Sequence, residues 1–283
     1  MEFSLELKNS DFISGERIQE IAHVTYFGTT NGNIPNQLLN TKTVLRDKFD
    51  FYLKEDETVL YVYGHDLDLF FSNSFNEINH QIKLISHNTD YPVDSKYIQY
   101  LDDDKIIHWY AQNAILDHPK LTPVPIGIAN KQWPHGNIEN FLQVINEKNK
   151  KENIVYKNFD ITTNTSVRSR VNHITNQNKI YMDTNRSHTE YLQKVAKSLF
   201  VISPQGNGID CHRIWEALYL GTVPIVERSS AFRNFTDLPI LFIDKWEDVT
   251  IDFCKKHIPI FYDHKFNLSK LTLPYWKSLI ING

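Results

Sequence analysis

Short apolar runs alternate with amphipathic stretches along most of the chain. A short apolar run predicts a buried strand, and apolar residues spaced three and four apart predict a helix. In the first half, this pattern predicts strands at residues 21–27, 58–63, 82–86 and 122–128. Between them it predicts helices, for example at residues 34–48 and 95–100. The alternation indicates a fold built from α/β units.

The second half continues the same alternation after a change in composition. Residues 139–152 begin as an amphipathic helix and end in a charged run rich in Asn and Lys, which predicts a domain boundary near residue 150. The pattern beyond it predicts strands at 153–160, 199–203, 223–226 and 239–244, and helices at 166–175, 188–198, 211–220, 246–257 and 275–281. We therefore expect two domains, 1–150 and 151–283, and a ligand cleft at the carboxyl ends of their strands.

Composition narrows the functional classes. The 283 residues are 41% hydrophobic and carry a net charge of −4, so the chain has a globular balance and no overall basic field to attract nucleic acid. Neither a signal peptide nor an apolar run of about 20 residues is evident, which predicts no membrane span. The two cysteines fit a reducing compartment, and a cytoplasmic location is the expectation.

Residues 203–218 read SPQGNGIDCHRIWEAL and lie between a predicted strand and a predicted helix. Gly206 and Gly208 allow the backbone to approach a ligand closely, and Asp210 is a candidate N-cap of the helix. Free N–H groups at a helix start bind phosphate well. Arg213 and Glu216 share a helix face, where the first can bind a diphosphate and the second a ribose. From spacing alone, a plain strand–turn–helix with a surface ion pair is an alternative.

Residues 203–226 resemble the donor-site signature of exostosin-like glycosyltransferases, above all the small soluble members from bacteria and large DNA viruses. Residues 86–92 and 109–128 are similar to other segments of those proteins. The resemblance implies a GT-B architecture, in which two Rossmann-like domains face each other across a cleft and the C-terminal tail can cross back. It also implies an inverting enzyme that moves xylose or a hexose from a UDP-sugar to a hydroxyl of an acceptor glycan.

The predicted donor site comprises Arg170, Pro204, Gly206, Asn207, Gly208, Asp210, His212, Arg213 and Glu216. The helix dipole and the arginines would stabilise charge on the leaving diphosphate, so no cofactor is expected to be required and no metal ligands are assigned.

The acceptor site is expected in the first domain, where three predicted strands end in polar clusters. An inverting transfer needs one base to take the proton of the attacking hydroxyl. The candidates, in order of preference, are Asp90, Asp66 and His87. The residues predicted to bind the acceptor are Asn88, Tyr91 and Trp133.

Two other hypotheses compete with this one. Asp66 and Asp68 form an Asp-x-Asp pair directly after a predicted strand, as in metal-dependent GT-A glycosyltransferases, and paired carboxylates suit Mn²⁺ or Mg²⁺. A protein that keeps the fold but only binds a glycan or nucleotide is the second alternative.

Overall fold

The computed structural model describes residues 6–28, 44–46, 53, 58–184 and 186–283. Ten strands form two sheets in this part of the chain. The first sheet contains β1 (Val24–Phe27), β2 (Val44–Arg46), β3 (Val59–Tyr63), β4 (Ile82–His87), β5 (Ile106–Ala111) and β6 (Leu121–Pro123), in the order β2-β1-β3-β4-β5-β6. The second contains β7 (Asn153–Tyr156), β8 (Ser198–Ile202), β9 (Val223–Glu227) and β10 (Leu241–Ile243), in the order β10-β9-β8-β7.

Every neighbouring pair of strands in both sheets is parallel. The loops that follow the strands therefore gather at one edge of each sheet, which is where α/β proteins bind ligands. The predicted α/β class with two Rossmann-like halves is confirmed.

Nine α-helices accompany the strands in the described residues. They are α1 (Gly15–Gln19), α2 (Leu67–Asn73), α3 (Ile98–Leu101), α4 (Ile138–Asn146), α5 (Thr165–Gln177), α6 (His188–Ala196), α7 (His212–Tyr219), α8 (Ile251–Asp263) and α9 (Leu273–Asn282). Local sequence explains where several of them begin. A capping box of Ser187 and Glu190 starts α6, and the Asn164 side chain accepts a hydrogen bond from the Val167 N–H at the start of α5.

The alternation of side chains along the strands divides the core into three layers. In β3, Val59 and Tyr61 face one cluster, and Leu60 and Val62 face another. The side chains of the second sheet also alternate between two clusters: a third cluster on one face, and the cluster that contains Tyr61 on the other. The two sheets thus share a middle layer, because strand side chains point alternately to opposite faces.

The C-terminal helix also joins the halves. The Lys83 ammonium on β4 donates to the carbonyls of Ile280 and Ile281, each at 3.0 Å, at the end of α9. The predicted boundary near residue 150 falls in the connection between α4 and β7, and the division into two separate domains remains a prediction. No helix in the described part of the chain has the length and apolar character needed to cross a bilayer.

Some predicted elements are wrong or shorter than expected. Residues 106–111 form the strand β5, which the pattern did not predict. A helix was predicted at 34–48, but its residues 44–46 form β2. The other residues of that predicted helix lie outside the described part of the chain. The strand predicted at 122–128 ends at Pro123, because Pro125 has no N–H to donate and Gly127 has a positive φ of 69°. The helix predicted at 246–257 starts at Ile251, where the Thr250 side chain caps it.

Candidate active site

A cavity of about 660 Å³ opens between the two halves, at the carboxyl edges of their sheets. The first half contributes Asp90, Ile126 and His135 to its wall. The second half contributes the glycine-rich turn, the start of α7, the start of α6 and the residues that follow β7. Most of the predicted donor residues therefore meet at one cavity, together with one of the predicted bases.

The glycine-rich turn forms one wall of this cavity through Gly206, Asn207 and Gly208. Helix α7 begins directly after the turn, at His212, and its N-cap Cys211 makes no side-chain capping bond. The first N–H groups of α7 and the positive end of its dipole are thus placed at the cavity wall without a capping side chain, an arrangement that favours an anion.

Asp210 has a different role from the predicted N-cap and donor ligand. Its carboxylate accepts hydrogen bonds from the Ile126 N–H at 2.7 Å and from the Trp215 indole at 2.8 Å. The residue is 5% exposed, and burial raises the pKa of its carboxyl to about 7. Although Asp210 borders the cavity, its carboxylate connects the loop after β6 to α7, and we correct the predicted role accordingly.

Pro204 is also corrected as a donor residue. It is buried behind the turn and is absent from the cavity wall, and its carbonyl accepts a weak hydrogen bond from the Cys211 thiol at 3.8 Å. The proline therefore supports the turn from behind rather than facing a ligand.

Three arginines line the cavity, and backbone contacts hold the guanidinium groups of two of them, Arg168 and Arg213, in place. The Arg213 Nε donates to the Asn158 carbonyl at 2.9 Å. Arg168 donates from Nε to the Gln205 carbonyl at 3.0 Å and from Nη1 to the Asp160 carbonyl at 2.7 Å. Since each bond uses only part of a five-donor group, both side chains keep N–H groups for a ligand.

Arg170 is not at this cavity. It pairs with the exposed Glu247 at 3.1 Å and lines a different depression of about 490 Å³ on the second half. Residues 168 and 170 lie on α5, and an offset of two positions directs them to different sides of a helix. The predicted donor role of Arg170 is therefore corrected, and Arg168 takes its place at the cavity wall.

Glu216 lies at the inner end of the cavity and is 5% exposed. Its Oε2 accepts a hydrogen bond from the Tyr191 hydroxyl at 2.8 Å. Burial raises the pKa of that hydroxyl well above its usual value, so Tyr191 remains a donor. The tyrosine on α6 thus orients the carboxylate on α7.

His212 opens α7 and borders the cavity. Its Nδ1 donates to the Gly127 carbonyl at 2.8 Å, which leaves Nε2 as the ring nitrogen available to a ligand. Burial lowers the pKa of the imidazole, so the neutral form with a lone pair on Nε2 is favoured at pH 7.

Several cavity residues were not proposed as ligands from the sequence, among them Arg186, His188 and Tyr191. The signal for Tyr191 and His188 is their position on one face of α6 three residues apart, but nothing in the sequence indicates that this face meets α7. Arg186 is held by an ion pair with Asp183 at 3.0 Å.

Of the three predicted bases, only Asp90 borders the cavity. It is exposed, and no side-chain hydrogen bond holds its carboxylate among the described residues. The residue follows β4 by three positions, so the parallel sheet delivers it to the ligand-binding edge.

His87 and Asp66 are corrected as bases. His87 is fully buried, its Nε2 donates to the Pro125 carbonyl at 2.9 Å, and burial lowers its pKa to about 4. Asp66 is 5% exposed and accepts a hydrogen bond from the Gly28 N–H at 3.0 Å. Neither side chain is part of the cavity wall.

The same contacts argue against the metal pair. Asp68 is exposed and bonds to the Lys96 ammonium at 3.0 Å and to the Tyr97 hydroxyl at 2.8 Å, whereas Asp66 bonds to backbone in the interior. The two carboxylates therefore have separate partners, and the described residues contain no cluster of three or more His, Cys, Asp or Glu that could hold a metal ion.

The predicted acceptor residues divide in two groups. Asn88 donates from Nδ2 to the Tyr61 hydroxyl and accepts from Asn130 through Oδ1, so both atoms bond within the first half, and the residue does not border the cavity. Tyr91 and Trp133 are 63% and 52% exposed and follow or flank residues of the cavity wall.

Two parallel α/β halves, with a cavity at their strand ends and a glycine-rich turn leading into a helix, match the arrangement of a GT-B-like fold. Residues 124–258 match the family model described as the RXYLT1 C-terminal domain. The matched segment is just under half of the chain and contains the glycine-rich turn and α5 to α7. Asp90 lies outside it. A search of curated proteins gave no match.

Proposed function

We propose that the protein is an inverting glycosyltransferase that moves a sugar from a UDP-sugar to a hydroxyl of an acceptor glycan. The observation that carries this proposal is the convergence of the glycine-rich turn, the start of α7, Arg168 and Arg213 on one cavity. The similarity of residues 124–258 to the RXYLT1 C-terminal domain supports the same class.

The diphosphate of the donor binds at the turn, between the N–H groups of α7 and the two arginines. Charge-assisted bonds from a guanidinium to phosphate oxygens are geometrically specific, because the planar fork matches two oxygens at once. The N–H groups and guanidinium N–H groups stabilise the charge that develops on the leaving diphosphate, so the transfer requires no metal in this proposal. Glu216, oriented by Tyr191, accepts hydrogen bonds from the ribose hydroxyls.

Asp90 acts as the base. The acceptor hydroxyl attacks the anomeric carbon, its proton passes to the Asp90 carboxylate, and the bond between that carbon and the diphosphate oxygen breaks, with the electron pair leaving on UDP. Exposure of Asp90 and its position on the cavity wall next to Gly208 support this role. In an inverting transfer, the base takes the proton of the attacking hydroxyl.

The donor sugar is proposed to be xylose before any hexose, on the strength of the RXYLT1 similarity. The acceptor glycan lies along the first half, where Tyr91 and Trp133 offer exposed rings for the apolar face of a sugar. The Trp133 ring lies nearly parallel to that of His135, with 6.2 Å between the two ring centroids.

Calorimetric titration with UDP and with UDP-xylose, in buffer with EDTA and in buffer with Mn²⁺, tests the donor site. Arg213→Lys removes the guanidinium fork but keeps a positive charge, and we expect it to weaken UDP binding about 10- to 100-fold, since a bond to a charged group contributes about 1.5–3 kcal/mol. Arg170→Lys is the matched control, because Arg170 lies outside the cavity, and its affinity should equal that of the wild type.

Equal affinity in Arg213→Lys and Arg170→Lys would contradict the donor site. Binding that occurs only with Mn²⁺ would favour the metal-dependent alternative. UDP binding without any sugar transfer to a panel of acceptors would favour the non-catalytic alternative.

A further inference from the structure

Asn113, the second residue after β5, contacts both walls of the cavity without bordering it. It is 2% exposed and has a positive φ of 54°, a conformation that asparagine tolerates better than most residues. Its Nδ2 donates to the Thr89 carbonyl at 3.0 Å, and its Oδ1 accepts from the Asp210 N–H at 2.9 Å. One amide thus joins the turn before Asp90 to the turn before α7.

On the Asp90 side of this connection, two side chains bind the backbone of Thr89. Gln112 donates from Nε2 to the Thr89 carbonyl at 2.8 Å and accepts from the Thr89 N–H through Oε1 at 3.4 Å. The Thr89 carbonyl therefore receives two N–H groups, one from each of two consecutive residues at the end of β5. The backbone immediately before Asp90 is fixed to the first sheet.

The donor side is held as firmly. The Asp210 carboxylate accepts from the Ile126 N–H and from the Trp215 indole, so the residue whose N–H binds Asn113 Oδ1 is itself held by two side-chain hydrogen bonds. Gly208 packs directly on the connection. A methyl group on Gly208 would lie 2.8 Å from Asn113 Nδ2 and 3.3 Å from Asp90 Cα, which leaves no room for a larger residue.

We propose that Asn113 is a positioning residue that fixes Asp90 relative to the glycine-rich turn, and this inference rests on the proposed function. In an inverting transfer, the base and the leaving diphosphate lie on opposite sides of one carbon, so their separation decides whether the hydroxyl can attack in line. A misplacement of about 1 Å costs on the order of 100-fold in rate. Asn113 sets this separation and touches neither substrate.

Asn113→Gly tests this role most directly, because glycine adopts the positive φ without strain and the substitution removes only the side-chain amide. We expect kcat to fall at least about ten-fold, while the dissociation constant for UDP changes less than about two-fold, since the donor wall remains intact. Lys179→Gly is the matched control: Lys179 also has a positive φ, of 60°, and is exposed away from the cavity, so kcat should not change. An unchanged kcat in Asn113→Gly, or an equal loss of UDP binding, would overturn the proposal.

A second measurement keeps this inference separate from the proposed function. Gly208→Ala should lower Tm because its methyl group meets Asn113 Nδ2, and the double variant with Asn113→Gly should recover part of that loss, since the nearest clashing atom is gone. Additive changes in Tm would contradict the contact even if the enzyme is active. A non-additive Tm in a protein that transfers no sugar would refute the proposed function while supporting the contact.

Discussion

The free energy of unfolding should depend on pH through Asp210, and this dependence should be absent in Asp210→Asn. Its carboxyl has a pKa near 7 in the folded protein, because burial disfavours the charged form, against 3.8 for an unperturbed aspartate. A group whose pKa rises on folding adds stability that is fully present below pH 3.8 and is lost as the pH rises through about 7.

The size of this effect follows from the two pKa values. The complete difference of about three pKa units corresponds to about 4 kcal/mol, at about 1.4 kcal/mol for each unit. Between pH 5 and pH 8 the linkage relation gives a loss of about 2.6 kcal/mol from this group alone. For a chain of this length, such a loss lowers Tm by roughly 4 °C.

Urea denaturation followed by tryptophan fluorescence at pH 5 and pH 8 measures the loss in the wild type and in Asp210→Asn. The asparagine is neutral at both pH values and keeps an oxygen for the Ile126 N–H, so its free energy of unfolding should fall by about 2.6 kcal/mol less than that of the wild type. Asp252→Asn, at a side chain that is 93% exposed, is the control and should behave as the wild type. Parallel losses in the wild type and Asp210→Asn would refute the reasoning.

Three further predictions concern single side chains. Trp276→Ala should lower the free energy of unfolding by about 3–5 kcal/mol, because the ring is fully buried in the layer shared by both sheets, and both halves should still unfold in one denaturation transition; two separate transitions would count against the shared core. Tyr191→Phe should raise the KM for the UDP-sugar about ten-fold in steady-state assays, since it removes the bond that orients Glu216. His87→Gln should keep kcat within about three-fold of the wild type at pH 7, because His87 does not border the cavity; a loss of about 100-fold, as expected for a general base, would restore it as a candidate.

Much of the fold could be predicted from local pattern. The strands at the centre of each sheet are short apolar runs, and the glycine-rich turn with its following helix is recognisable from residue types alone. β5 was missed because the polar His108 interrupts its apolar run, while its neighbours β4 and β6 supply the pairing that makes it a strand. Such pairing is a tertiary effect that local propensity does not contain.

The site was predicted less completely, for a similar reason. Gly206, Gly208 and Arg213 follow from a local motif, and they border the cavity. Whether Arg168 or Arg170 faces the cavity depends on the rotation of α5 against the second sheet, which the local sequence does not reveal. Asp210 has the residue type of a helix cap or a ligand. Its carboxylate instead binds the Ile126 N–H, 84 residues earlier in the chain, and the Trp215 indole.

The most direct test of the account is acceptor-dependent release of UDP. The purified protein is incubated with UDP-xylose or another UDP-sugar and a panel of acceptor glycans, in buffer with EDTA, and UDP and the extended glycan are measured by mass spectrometry. UDP should be released together with a glycan one sugar longer, only when an acceptor is present, and Asp90→Asn should abolish this transfer while UDP still binds. No acceptor-dependent release from any UDP-sugar, or full transfer by Asp90→Asn, would contradict it.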